Sequence, residues 1–207
     1  MVARAVGDYP TAQAALERAL SLFTDLGEVV YEVHALCNLS TLSWRLGDYP
    51  QAMAAARRAL ARCDQVGLPL ERRLPLGDLG AAAAGLGDPD LAHASLTESL
   101  GIARQIADRT QEIFCLGHLG WLGVRLAQPA QALEHLQAAL KLAEVIDSRA
   151  EQSWLWAGLA EAQRLAGELE RALAAARRAL EQAQASGQAY DRELARRVLS
   201  HLGVSDL

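Results

Sequence analysis

The chain has 207 residues with a formal net charge of −5; 51% of it is hydrophobic and only 5% aromatic. It holds 41 Ala, 36 Leu, 19 Arg, a single lysine (Lys141) and three cysteines. So much Ala and Leu with so little Pro excludes collagen-like and disordered classes, and few aromatic or β-branched residues exclude an all-β fold, leaving an all-α protein with a sizeable core.

The first strong signal along the chain is a repeat. Residues 4–10 (Arg-Ala-Val-Gly-Asp-Tyr-Pro) resemble residues 44–50 (Trp-Arg-Leu-Gly-Asp-Tyr-Pro). Related breaks follow every forty residues, at Gly7, Gly47, Gly87, Ala127 and Gly167. Five residues past each break stands Ala12, Ala52, Ala92, Ala132 or Ala172. Thirteen past it stands Leu20, Leu60, Leu100, Leu140 or Leu180, each preceded by a small residue. A second break comes twenty residues on, at Gly27, Gly67, Ala107, Asp147 and Gly187. Leu39, Leu79, Leu119, Leu159 and Leu199 are each followed by Ser, Gly or Ala.

Two breaks per repeat imply two helices, and Leu and Ala recur with the 3.6-residue period of amphipathic helices. In chain order, second-of-pair (B) helices are expected over 9–26, 49–66, 89–106, 129–146 and 169–186. First-of-pair (A) helices are expected over 29–46, 69–86, 109–126 and 149–166, with a final A-type helix over 188–202. Asp8, Asp48 and Asp88 are placed to cap B helices, with Pro10, Pro50, Pro89 and Pro129 in their first turns. Asp108 and Asp147 are placed to cap A helices, and Gly27, Gly67 and Gly187 to end B helices in the left-handed conformation. The resulting division is a B-only partial repeat at 1–27, full repeats at 28–67, 68–107, 108–147 and 148–187, and a capping helix within 188–207. One pair cannot bury its apolar face alone, so the units are expected to stack into a single solenoid.

Three fragments carry a family resemblance: Trp156 with Leu159-Ala160, Leu116 with Leu119-Gly120, and Gly47-Asp48-Tyr49 with Ala52. They resemble the tetratricopeptide repeat (TPR), and the likeness runs over essentially the whole chain in five registers. The usual TPR period is about 34 residues. The lengthened form looks like the sensor arms of large bacterial transcriptional regulators, the MalT-like and antibiotic-regulatory activators. The resemblance implies a right-handed superhelix whose concave groove, lined by A helices, binds a protein or peptide segment, with no catalysis and no cofactor. The family's carboxylate clamp does not carry over, because its positions hold Cys37 and Thr41, then Gly77 and Ala81.

The two ends differ. Residues 1–6 align with the last six of an A helix, so helix 9–26 opens the chain with an apolar flank unpaired. That reads either as a start cut inside a longer protein or as a native flank that docks on a partner or on a second copy. The final helix carries Arg192, Glu193, Arg196 and Arg197, the polar outer face of a natural end.

On each A helix, 100° per residue defines a stripe opposite the Leu36-Leu39-Ser40-Ser43 core stripe. It carries His34, Asn38, Thr41 and Arg45, then Leu74, Asp78, Ala81 and Gly85. Next come Phe114, His118, Trp121 and Arg125, then Trp154, Gly158, Glu161 and Leu165. This is interface-like composition. The groove candidates are His34, Asn38, Arg45, Asp78, His118, Trp121, Arg125, Glu161 and Arg164, while Leu74, Phe114 and Trp154 fit a groove or a core equally. Arg45, Arg125 and Arg164 suit an acidic ligand through bidentate bonds. Two further readings stay open: a small-molecule sensor whose groove closes on an effector, and an assembly element that dimerises through helix 9–26.

Other chemistry lacks support. Gly117, Gly120 and Gly123 superficially suggest a phosphate loop, but they lie mid-helix with no preceding strand. They cost roughly 1 kcal/mol each against Ala, which points to close helix contact or room for a ligand. The five histidines are scattered, so no metal site is expected. Cys37, Cys63 and Cys115 form no CxxC pair, so a reducing cytoplasm is the default, with Cys37 and Cys115 as small packing residues. The N-terminus lacks a secretory h-region, and no apolar stretch of about 18 residues is free of charge. The Arg pairs at 57–58, 177–178 and 196–197 lie among acids, and the pI of about 5.5 argues against nucleic-acid binding.

Overall fold

A computed structural model describes residues 9–146, 149–187 and 189–204. Among these residues the chain is all-α, with ten helices that pack as sequential antiparallel pairs, consistent with a TPR solenoid. They are α1 (Tyr9–Leu26), α2 (Val29–Arg45), α3 (Tyr49–Val66), α4 (Arg73–Leu86) and α5 (Pro89–Gln105), followed by α6 (Arg109–Arg125), α7 (Pro129–Val145), α8 (Arg149–Leu165), α9 (Leu169–Ser186) and α10 (Ala189–His201). Odd-numbered helices are the B type and even-numbered ones the A type.

Local chemistry sets most boundaries. The Asp48 side chain accepts from Gln51 N at 3.1 Å, Asp88 from Leu91 N at 3.0 Å and Asp108 from Gln111 N at 3.0 Å. Gly27, Gly67 and Gly187 end their B helices at φ near +70°. The proposed caps Asp8 and Asp147 lie outside the described residues. One boundary moves: α4 begins at Arg73, four residues later than the expected 69. Pro75 has no N–H to give the Glu71 carbonyl and its ring crowds that oxygen, so 69–72 turns tightly instead. Two turns are less comfortable. Ala107 and Ala127 adopt φ +57° and +53°, a conformation that side-chain sterics disfavour.

The contacts fall into two compact units, residues 1–111 and 112–207. In the first unit, Leu20, Val33, Leu36, Ala59 and Cys63 form a core between α1, α2 and α3, with Phe23 and Leu74 against it. Closest approach is set by small residues. Ser40 Oγ donates to Ala52 O at 2.8 Å, and a Cβ on Gly80 would sit 2.6 Å from Leu96 Cγ. Ser99 Oγ and Gln111 Nε2 both donate to Arg73 O, while Arg73 Nε bonds Asp108 at 2.8 Å.

In the second unit, α8, α9 and α10 enclose Ala157, Ala160, Ala176, Ala179, Leu194, Val198 and Leu199. Ser153 Oγ donates to Ala179 O at 3.1 Å, and the Arg178 guanidinium lies 4.3 Å from the Trp156 ring centroid. Gly117 and Gly120 are packing glycines, because a Cβ there would strike Trp154 and the Leu136 branch point respectively. No helix of the described chain is long and apolar enough to cross a membrane.

Candidate functional site

The stripe opposite the A-helix core becomes, in each unit, the seam where one A helix meets the next. In the first unit this seam joins α2 and α4. Thr41 Oγ1 donates to Asp78 Oδ1 at 3.4 Å, and Trp44 Nε1 donates to Ala81 O at 3.2 Å. Asp78 is only 8% exposed. Burial raises its carboxyl to about 7, and hydrogen bonds from Cys37 and Thr41 restrain the rise. Burial, then the neighbouring Asp78, pushes the Cys37 thiol well above its usual range, so it stays protonated and is a poor nucleophile. His34 is half-exposed, with Nε2 3.5 Å from Glu71 Oε2. Asn38 and Arg45 face solvent.

In the second unit the seam joins α6 and α8. His118 is only 7% exposed. Its ring lies between Phe114 (centroids 4.4 Å apart) and Trp154 (5.1 Å). Burial lowers the imidazole to about 4, so it is neutral at pH 7. Trp121 is half-buried, and its Nε1 donates to Trp154 O at 3.3 Å. Gly158 makes room for it, since a Cβ there would come within 3.0 Å of the indole. The Glu161 carboxylate is buried, bonded by Arg164 Nε at 2.7 Å and paired with His201 Nδ1 at 2.6 Å. Arg164 is partly exposed and Arg125 is exposed.

The nine sequence candidates therefore separate. Asn38, Arg45 and Arg125 are open; His34, Trp121 and Arg164 are half-buried; Asp78, His118 and Glu161 are buried. The last three do not stand on an open groove face, because a neighbouring A helix, or α10 in the case of Glu161, covers them. Trp154 and Leu74 pack against neighbouring helices in the same way, while Phe114 lies against His118 of its own helix.

Cys37, Trp44 and His201 lie off the stripe that helical periodicity defines, yet each bonds a residue on it, as Thr41 does from within it. The signal was available: the Thr41–Asp78 and Trp44–Ala81 bonds both span 37 residues, just short of one repeat. Among the described residues, no three His, Cys, Asp or Glu side chains gather to hold a metal ion. The buried groups serve packing and polarity within the fold, and the open ones offer charge and hydrogen bonds to something outside it.

A tetratricopeptide repeat family model matches residues 1–65. A search of curated proteins returns no match. Among solved structures, the fold is similar to BtubC (BKLC) from P. vanneervenii, with a TM-score of 0.66 at 16% identity, covering 98% of this chain and 95% of that one.

Proposed function

We propose that the chain is a non-catalytic scaffold that binds a protein or peptide segment. The observation that carries this reading is the tandem helix-pair architecture, which leaves Asn38, Arg45 and Arg125 open while the rest of the stripe is used in packing. Arg45 and Arg125 occupy the same register position at the ends of α2 and α6, and their planar forks suit carboxylates on a partner. The TPR model over residues 1–65 supports the same reading. A finer reading, in which the scaffold is the interaction arm of a larger bacterial regulatory protein, rests on the forty-residue period. A cytoplasmic location rests on the three free cysteines.

Peptides selected by display on the wild-type chain test the scaffold reading. Their affinity should fall at least tenfold, about 1.4 kcal/mol, on Arg45→Glu or Arg125→Glu. A selection that yields no binder, or binders indifferent to both substitutions, would remove the reading.

A further inference from the structure

Two buried carboxylates of this fold are matched by cations. Arg62 Nε donates to Glu32 at 3.0 Å, and Arg164 Nε donates to Glu161 at 2.7 Å. Asp78 is also buried but is treated differently. Its hydrogen bonds come from the Thr41 hydroxyl and the Cys37 thiol of α2, neither of which carries charge. Helices α2, α3 and α5 pack on α4. Among their described residues no charged side chain acts on Asp78. The titratable groups on that side are the Cys37 thiol, with Cys63 of α3 and Glu71 near it. Glu71 is taken up by Arg73 at 3.1 Å, with His34 3.5 Å away. On α5, Asp90, His93, Glu98 and Arg104 are all exposed.

A carboxyl without a cation is at home in a dry seam only while protonated; as an anion it needs water. The join around Asp78 is also held by little. Two side-chain bonds cross it, Thr41 to Asp78 at 3.4 Å and Trp44 Nε1 to Ala81 O at 3.2 Å. The helix pairs on either side are closed by apolar contact instead. Leu36 of α2 shares a core with Ala59 and Cys63 of α3, and Gly80 of α4 lies against Leu96 of α5. Helix α3 packs on both α2 and α4.

We propose that the α2–α4 seam is a proton-operated hinge: it is closed while Asp78 is protonated and opens when Asp78 ionises, carrying Asn38 and Arg45 of α2 away from α4. The α2–α3 pair rolls about the α3 axis and both pairs stay intact. Burial raises the Asp78 carboxyl to about 7, and water in the open seam returns it towards 3.8. Between those values the closed seam holds a proton that the open seam has lost. Rising pH therefore favours opening across that window and adds nothing above it.

The probe is a pyridyl disulfide, which labels the buried Cys37 thiol of the full chain only when the seam opens. Cys63, inside the α2–α3 core, is the internal comparison. The labelling rate of each thiol, divided by its rate in the urea-unfolded chain at the same pH, gives its open fraction. For Cys37 that fraction should rise about tenfold per pH unit from 5 to 7 and level off above 7, while Cys63 changes far less. Asp78→Asn should flatten the Cys37 profile and keep wild-type helix content by circular dichroism. Thr41→Val keeps the carboxyl but removes a hydrogen bond that favours its ionised form, so levelling should move above pH 7. A Cys37 profile flat with pH, or equally steep in Asp78→Asn, would overturn the proposal. So would equal slopes at Cys37 and Cys63, which make the opening a loss of the whole unit, or levelling in Thr41→Val that stays at the wild-type pH. If Asp78→Asn fails to fold, the Thr41→Val comparison decides alone. No peptide enters this test, so its outcome is independent of binding at Arg45 and Arg125.

Discussion

The α2–α4 seam and the α6–α8 seam hold the same register positions and are built from opposite chemistry. The first is polar, with an aspartate taking hydrogen bonds from a thiol and a hydroxyl and an indole N–H capped by a carbonyl. The second is aromatic, with an imidazole between two rings and a tryptophan seated on a glycine. A repeat thus fixes where helices meet but not what they meet with. The first solution ties stability to a buried carboxyl, and the second to ring area and a buried neutral histidine.

The comparison can be broken first by removing ring area. Trp154→Ala takes away the wall against His118 and Gly117 and should destabilise the second unit by about 4 kcal/mol. Urea unfolding should show the loss in the Trp121 and Trp156 fluorescence, while Trp44 in the first unit reports little change.

Acid sharpens it next, because the two buried groups respond in opposite directions. Folding raises the Asp78 carboxyl from 3.8 to about 7, so the folded first unit keeps a proton the unfolded chain has lost. That unit should gain stability as pH falls from 7 towards 4, on the order of 4 kcal/mol, and Asp78→Asn should abolish the dependence. Folding lowers His118 from 6.5 to about 4, so there the unfolded chain holds the extra proton. The second unit should lose on the order of 3 kcal/mol over the same window, and His118→Gln should flatten its profile. Urea midpoints at pH 7, 5.5 and 4, read separately through Trp44 and the remaining tryptophans, check both signs. Parallel slopes in the two units would contradict the contrast.

The smallest effect concerns turns. Ala127 holds the left-handed conformation that Gly47 holds at the same register, so Ala127→Gly should stabilise by about 1 kcal/mol. Gly47→Ala should cost a similar amount, and thermal unfolding of the two variants tests the pair.

Much of the architecture was legible in the sequence. Asp48, Asp88 and Asp108 cap as their positions suggest, because capping depends on residues only three apart. The start of α4 is not set by the break at Gly67 but by Pro75, eight residues on, which cannot donate into the helical ladder. The site was harder to read. Helical periodicity sorts residues onto faces, but it does not say how many neighbours a face has. Asn38 and Asp78 are one repeat apart on the same stripe, yet one is open and the other buried, because α4 has α2 beside it. Glycines held the clue: Gly117 and Gly158 each make space for a tryptophan on the neighbouring A helix, which marks that stripe as a contact.

The bonds that close these seams, and the one that joins α8 to α10, share a further property. Thr41–Asp78, Trp44–Ala81, Trp121–Trp154 and Glu161–His201 span 33 to 40 residues. The entropy of closing a loop grows only with the logarithm of its length, and every one of these loops is about one repeat long. Each seam therefore presents nearly the same search problem to the folding chain. Such low contact order favours fast folding that can nucleate at either seam. Lengthening the array by one repeat would add one more loop of this size and leave the existing loops as short as they are.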